Sequence, residues 1–179
     1  MTVDLRAEQR GVARGMILGL VVAVAVLALG NWLAAWGPAG GSIETLGAAV
    51  AILGLWVAAA IGNVARLRFF DGAAINGAID GAVAEREVAG VRVGQAVVQN
   101  TLEQAVLAGF AYGALAATMT GAAPSIALLA GCFSVGRVMF WAGYARGAAA
   151  RAFGFALTFY PSVLALLVVL ARLIAARLA

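Results

Sequence analysis

The chain has 179 residues, of which 64% are hydrophobic and only 11% are charged, and its mean hydropathy is +1.01. A soluble domain of this length needs more charge to cover its surface, so most of this surface must face lipid or other helices. The net charge of +4 does not indicate nucleic-acid binding, because the arginines are scattered along helix ends and form no single basic face.

Five apolar runs are each long enough to cross a hydrocarbon core of about 30 Å, which takes about 20 helical residues. In chain order they cover residues 15–36, 46–65, 93–118, 125–144 and 152–176. The third begins with a polar stretch and becomes apolar from residue 105 onward. Segments rich in Gly and Pro separate the first run from the second and the third from the fourth. A long polar connection, residues 69–90, joins the second run to the third. The sequence therefore predicts an all-α integral membrane helical bundle. The alternative for the first run is a signal peptide, but its apolar stretch is longer than is usual for one.

The arginines predict the orientation of this bundle. Most of them occur before the first run, after the second and after the fourth, whereas the connections after the first and third runs have none. Arg172 and Arg177, at the end of the fifth run, would lie on the opposite side. Because cytoplasmic loops carry an excess of basic residues, we expect the N-terminus to lie in the cytoplasm. We expect the membrane to be the inner membrane of a bacterium.

Polar residues gather at the predicted cytoplasmic end of three helices. On the third helix, Asn100 and Glu103 are three residues apart and are therefore neighbours on the helix surface. The fourth helix carries Arg137 and Tyr144 near its end, and Arg151 follows at the start of the fifth. Ionisable groups inside apolar helices usually face a cavity or a partner. One interpretation is a structural Glu–Arg pair with amides that join helices. The other is a site for a zwitterionic ligand, because arginines bind carboxylates in a forked geometry and a carboxylate binds an ammonium group.

The same residues resemble the motifs of the MAPEG family, the membrane-associated proteins of eicosanoid and glutathione metabolism. Asn100 and Glu103 match the family's N-x-x-E motif. Arg137, Tyr144 and Arg151 follow its R-x6-Y-x6-R arrangement around a Gly-Tyr pair. The second helix ends in a basic cluster similar to the family's, and the resemblance covers roughly residues 45–178.

The resemblance implies an architecture and an activity. It implies a four-helix MAPEG-like transmembrane domain in residues 42–179, preceded by an additional transmembrane helix in residues 1–41. It also implies a homotrimer that binds glutathione as a co-substrate on the cytoplasmic side, between subunits. Arg151 would be the catalytic residue, because its charge favours the glutathione thiolate, which is the nucleophile. The glutathione-binding residues would be Arg68, Gln99, Asn100, Glu103, Gln104, Arg137 and Tyr144.

On this basis the expected function is a membrane-embedded glutathione-dependent transferase or peroxidase acting on a lipophilic electrophile. Ala96 and Phe140 depart from the family pattern, at positions often held by arginine and tyrosine. These departures favour a second hypothesis, a MAPEG-like scaffold that binds a lipid or an anion without turnover, whereas Arg151 favours the enzyme. A third hypothesis is a small transporter, against which the polar residues cluster at one end of the bundle. No metal site is expected, because the chain has no histidine and one cysteine.

Overall fold

The computed structural model describes residues 5–36, 41–70 and 89–178, and these residues form five helices. The helices are α1 (Leu5–Ala34), α2 (Ser42–Phe69), α3 (Ala89–Thr118), α4 (Ala123–Tyr144) and α5 (Ala148–Leu178). The predicted all-α helical bundle is therefore confirmed. Most of the polar connection predicted between the second and third helices lies outside the described residues.

Among the described helices, α1, α2, α4 and α5 are long and apolar enough to cross a membrane, and the chain is an integral membrane protein. α3 has 30 residues, but it does not reach the hydropathy of a span, because its first half carries polar residues such as Gln99 and Glu103. It packs against α2, α4 and α5. The predicted third span is thus a helix with a polar first half and an apolar second half.

Successive helices run in opposite directions, and the helix ends that carry the polar residues lie at the same end of the bundle. α1 and α5 run parallel, because Glu8 contacts Ala149 near their starts and Asn31 contacts Arg172 near their ends. α4 runs antiparallel to α5, since Gly143 lies against Ala150. The end where α1, α3 and α5 begin is called here the N-terminal end of the bundle. The larger apolar core lies toward the opposite end, where residues such as Ile126, Leu129, Tyr112 and Phe133 are buried.

α1 docks on α5 through glycines spaced four residues apart. A Cβ atom built on Gly15 would lie 2.8 Å from the backbone nitrogen of Phe153 and 3.0 Å from Cβ of Ala152. Gly11 and Gly19 meet Ala149 and Ala156 in the same way. Residues four apart share a helix face, and small side chains there let two backbones approach closely. The extra helix is therefore an integral part of the bundle.

The glycine pairs at 109/113 and 143/147 have the same spacing but do not join helices in this way. Cβ atoms on Gly109 and Gly113 of α3 would meet no atom of the described residues within 4 Å. Gly143 packs against the start of α5, but Gly147 lies in the turn before α5 with φ of 106°. L side chains rarely adopt that conformation, so Gly147 serves the turn, where a Cβ would also lie 3.1 Å from Oε1 of Glu8.

Replacing Gly15 by leucine tests the α1–α5 contact. The added side chain must displace the backbone of α5, and overpacking of this kind costs about 1–3 kcal/mol. We expect Gly15→Leu to lower the midpoint of thermal unfolding, followed by circular dichroism in detergent. Gly131→Leu is the control, because a Cβ there meets nothing within 4 Å. Equal midpoints for the two variants would contradict the contact.

Candidate binding groove at the N-terminal end

A groove of about 540 Å³ lies at the N-terminal end of the bundle. This volume is within the range of about 300–1,000 Å³ that is usual for small-molecule sites. α1 and α3 line its two sides, and α4 and α5 form its floor. α1 and α3 pack on α4 and α5 and leave the groove between them. Its lining residues are Val12, Met16, Ala96, Gln99, Asn100, Glu103, Phe140, Tyr144, Ala148, Arg151, Ala152 and Phe155.

The α3 side of the groove carries the polar groups that the sequence placed on one helix face. Gln99, Asn100 and Glu103 all line the groove. The side-chain amide of Gln99 donates a hydrogen bond of 2.8 Å to Oε1 of Glu103. This bond holds the carboxylate in place one helical turn from the amide and leaves its other oxygen available to a ligand.

Arg151 brings a positive charge to the floor of the groove. It lies in the first turn of α5 and is half-buried. Its guanidinium carbon lies 4.3 Å from the centre of the Tyr144 ring, a cation–π contact. The Tyr144 ring in turn packs edge-on against Phe140, with 5.5 Å between ring centres. The guanidinium group of Arg151 is therefore packed on the Tyr144 ring, which also contacts Phe140.

The turn that precedes Arg151 is fixed by α1. The backbone N–H of Ala149 donates a hydrogen bond of 3.0 Å to Oε2 of Glu8. An N–H in the first turn of a helix has no partner within the helix, and a carboxylate there is also favoured by the helix dipole. Glu8 thus caps α5 from another helix, beside the glycine turn that joins α4 to α5.

Arg137 lies behind the groove and is fully buried. Its Nη1 donates to Oδ1 of Asn100 at 2.9 Å, and its Nη2 donates to Oγ1 of Thr158 at 2.8 Å. Its guanidinium also lies over the rings of Phe133 and Phe140, at 5.6 and 4.7 Å from their centres. Within the described part of the chain its Nε has no partner. The Glu–Arg pair considered from the sequence is not formed, because Arg137 is bonded to an amide and a hydroxyl instead.

Gln104 belongs to the same buried cluster and does not line the groove. Its Oε1 lies 3.2 Å from Oγ1 of Thr158, which has a single proton to share between Gln104 and the carbonyl of Phe155. Arg137, Gln104 and Thr158 therefore join α3, α4 and α5, and they hold Asn100 at the groove wall.

Arg68 lies away from this groove. It is exposed near the end of α2 and lines a separate surface groove of about 470 Å³ between α2 and α3. Gln99 borders both grooves. Within one chain the structure therefore brings together Gln99, Asn100, Glu103, Tyr144 and Arg151, and it leaves Arg68 on the other side of α3.

Sequence reasoning missed the contribution of α1. Val12 and Met16 line the groove opposite the polar residues of α3. The signal was the run of glycines at positions 11, 15 and 19, which fixes the face that α1 turns toward α5. Ala96 and Phe140, the two departures from the family pattern, both line the groove as well.

The fold and the groove define a helical integral membrane protein with a partly polar ligand groove at one end of the bundle. The family model of the MAPEG family matches residues 46–173, which is more than half of the chain and runs from α2 to α5. The chain belongs to the MAPEG family. α1 precedes the matched residues. No curated protein and no solved structure matches the chain.

The buried cluster behind the groove predicts the effect of removing one hydroxyl. Thr158→Val keeps the shape of the side chain but deprives Nη2 of Arg137 of its acceptor, and an unsatisfied buried donor costs about 1–3 kcal/mol. We expect this loss in the free energy of unfolding, measured by denaturant titration in mixed micelles. Thr118→Val is the control, because Thr118 is exposed and its hydroxyl donates to the carbonyl of Ala114 within its own helix. A loss of less than about 0.5 kcal/mol for both variants would contradict a stabilising role for the cluster.

Proposed function

We propose that this protein is a membrane-embedded glutathione-dependent transferase that joins the glutathione thiolate to a lipophilic electrophile. The observation that carries the proposal is the meeting of Arg151, Glu103 and Asn100 on one groove. Membership of the MAPEG family supports a role in glutathione or eicosanoid metabolism. The carboxylate, amides and arginine that line the groove support binding of a zwitterionic peptide such as glutathione.

The donors and acceptors of the groove suit the parts of glutathione. The free carboxylate oxygen of Glu103 can accept from the ammonium group. Oδ1 of Asn100 is held by Arg137, so the Asn100 amide presents its N–H donors to a peptide carbonyl. Arg137 and Gln104, which the sequence placed among the ligand contacts, are proposed here to position Asn100 from behind. Arg68 lies in the separate groove between α2 and α3. It is therefore a proposed contact only for a part of the ligand that reaches that groove.

Arg151 supplies the chemistry in this proposal. A fixed positive charge favours the thiolate over the thiol, and the thiolate is the reacting form. The thiol proton passes to water. The sulfur then forms a carbon–sulfur bond with the acceptor, and the leaving group departs with its bonding electron pair. If the acceptor is a lipid hydroperoxide, two molecules of glutathione are oxidised to the disulfide, and the products are an alcohol and water.

The proposal includes a location and an assembly. We place the N-terminal end of the bundle in the cytoplasm, because the arginine distribution favours it, and we propose the inner membrane of a bacterium. We propose a homotrimer, as the family resemblance implies.

The role of Arg151 is tested by comparing its substitution with that of Arg146, which lies five residues earlier in the chain. In Arg151→Ala we expect the thiolate fraction of bound glutathione to fall about tenfold or more at neutral pH, because the stabilising charge is lost. Thiolate ultraviolet absorbance measures this fraction, and calorimetry measures binding. Arg146→Ala is the matched control, since Arg146 is exposed, bonds to the Ala142 carbonyl and does not line the groove.

The outcomes of that experiment separate the hypotheses. A thiolate signal in the wild type that disappears only in Arg151→Ala supports the transferase. Binding without any thiolate signal in the wild type supports a scaffold that holds the peptide without activating it. No binding at millimolar glutathione removes glutathione as the ligand of the groove.

Glu103 is tested with a modified ligand. We expect Glu103→Gln to raise the Kd of glutathione about tenfold to a hundredfold, because a charge-assisted hydrogen bond to the ammonium group is lost. A glutathione analogue without the amino group should bind the wild type and Glu103→Gln alike. If both ligands lose the same affinity, Glu103 does not bind the ammonium group.

A further inference from the structure

α1 lies outside the residues that match the family model, yet it forms one side of the groove. Val12 and Met16 are its lining residues. The polar side chains that line the groove all belong to helices of the matched region. α1 therefore adds an apolar side to a groove whose other side is polar.

The rotation of α1 about its own axis is fixed along its whole length. Gly11, Gly15 and Gly19 lie against α5. Near its start Glu8 accepts from the backbone of Ala149, and near its end Asn31 accepts a 3.2 Å hydrogen bond from Arg172. Residues that follow a contact glycine by one position are turned by about 100° from it. Val12 and Met16 occupy two such positions, so the α5 contact turns them into the groove.

The two sides of the groove differ in chemistry. α1 contributes only the apolar side chains of Val12 and Met16, whereas α3 contributes Gln99, Asn100 and Glu103. Phe140 and Phe155 add apolar surface on the floor between them. An occupant with a polar half and an apolar half is therefore oriented, with its polar half toward α3. A methionine suits apolar partners of varied shape, because its side chain is flexible and polarizable.

The groove also adjoins the lipid-facing surface. Leu20 lies one turn beyond Met16 on α1 and is 39% exposed. Val106 lies one turn beyond Glu103 on α3 and is 48% exposed. Both residues lie deeper in the bundle than the polar lining residues. An apolar molecule dissolved in the bilayer can therefore reach the groove sideways, between α1 and α3.

We propose that α1 forms the binding surface for the lipophilic acceptor, which enters from the bilayer between α1 and α3 and contacts Val12 and Met16. This inference rests on the proposed transferase function. It makes α1 the element of this chain that selects the acceptor, while α3 and Arg151 bind and activate the thiol.

A series of nitroaryl chlorides with alkyl chains of increasing length tests the proposal. The glutathione sulfur bonds to the aryl carbon, chloride leaves with the bonding electron pair, and the thiol proton goes to water. In the wild type, kcat/KM referred to the acceptor concentration in the aqueous phase should rise about fourfold for each methylene that the groove buries. In Met16→Trp the rise should stop at a shorter chain, and in Met16→Ala it should continue to a longer one. The Kd of glutathione should not change in either variant.

Ile17→Trp and Ile17→Ala are the matched controls. Ile17 is the next residue of α1, is 62% exposed and does not line the groove. The inference is overturned if the Met16 and Ile17 variants show the same dependence on chain length as the wild type.

A second measurement needs no turnover. An alkyl diazirine analogue without chlorine is photolysed on wild-type protein in lipid nanodiscs, and the labelled residues are identified by mass spectrometry. Label on Val12 or Met16 that excess unlabelled analogue suppresses supports the acceptor surface. Suppressible label only elsewhere overturns it. If wild type takes this label but neither binds nor conjugates glutathione, the transferase function fails while α1 remains an apolar binding surface.

Discussion

A guanidinium group inside a bundle of membrane-spanning helices is tolerated only if neighbouring helices satisfy its donors. Here Asn100 of α3 and Thr158 of α5 accept from Arg137 of α4, and two phenylalanine rings cover its faces. These bonds fix the relative positions of three helices at the N-terminal end. They also decide which atoms of Asn100 remain available at the groove. The polar chemistry of the site therefore depends on a buried group that does not itself line it.

The second constraint is the close packing of α1 on α5. Glycines make the approach possible, and Glu8 caps the start of α5 just before Arg151. The contact between α1 and α5 therefore has two effects. It holds the first turn of α5, which carries Arg151, and it determines which side chains of α1 form the apolar side of the groove. The polar side comes from α3, whose low hydropathy reflects that role. A groove with unlike sides at the edge of the bilayer suits a reaction between a water-soluble peptide and a lipid-soluble partner, because it holds both at one place.

Hydrophobic run length was enough to predict the five helices, although α1, α2, α3 and α5 each begin four or more residues before their apolar runs. Backbone hydrogen bonding continues into polar sequence, so hydropathy underestimates helix length. Spacing placed Asn100 and Glu103 on a common face, but it could not show that Arg137 and Gln104 lie behind that face or that Arg68 lies beyond α3. Those positions depend on how helices rotate against one another, which only packing decides. Met16 was missed for the same reason, since its place follows from the α1–α5 contact.

The most direct test of the central claim is to count the protons released when glutathione binds to the wild type. Calorimetry at neutral pH in buffers of different ionisation enthalpy gives this number. If Arg151 holds the bound sulfur as a thiolate, binding should release about one proton per glutathione, and S-methylglutathione should release none. Binding of glutathione without proton release would contradict the account, because the thiol would then be held but not activated.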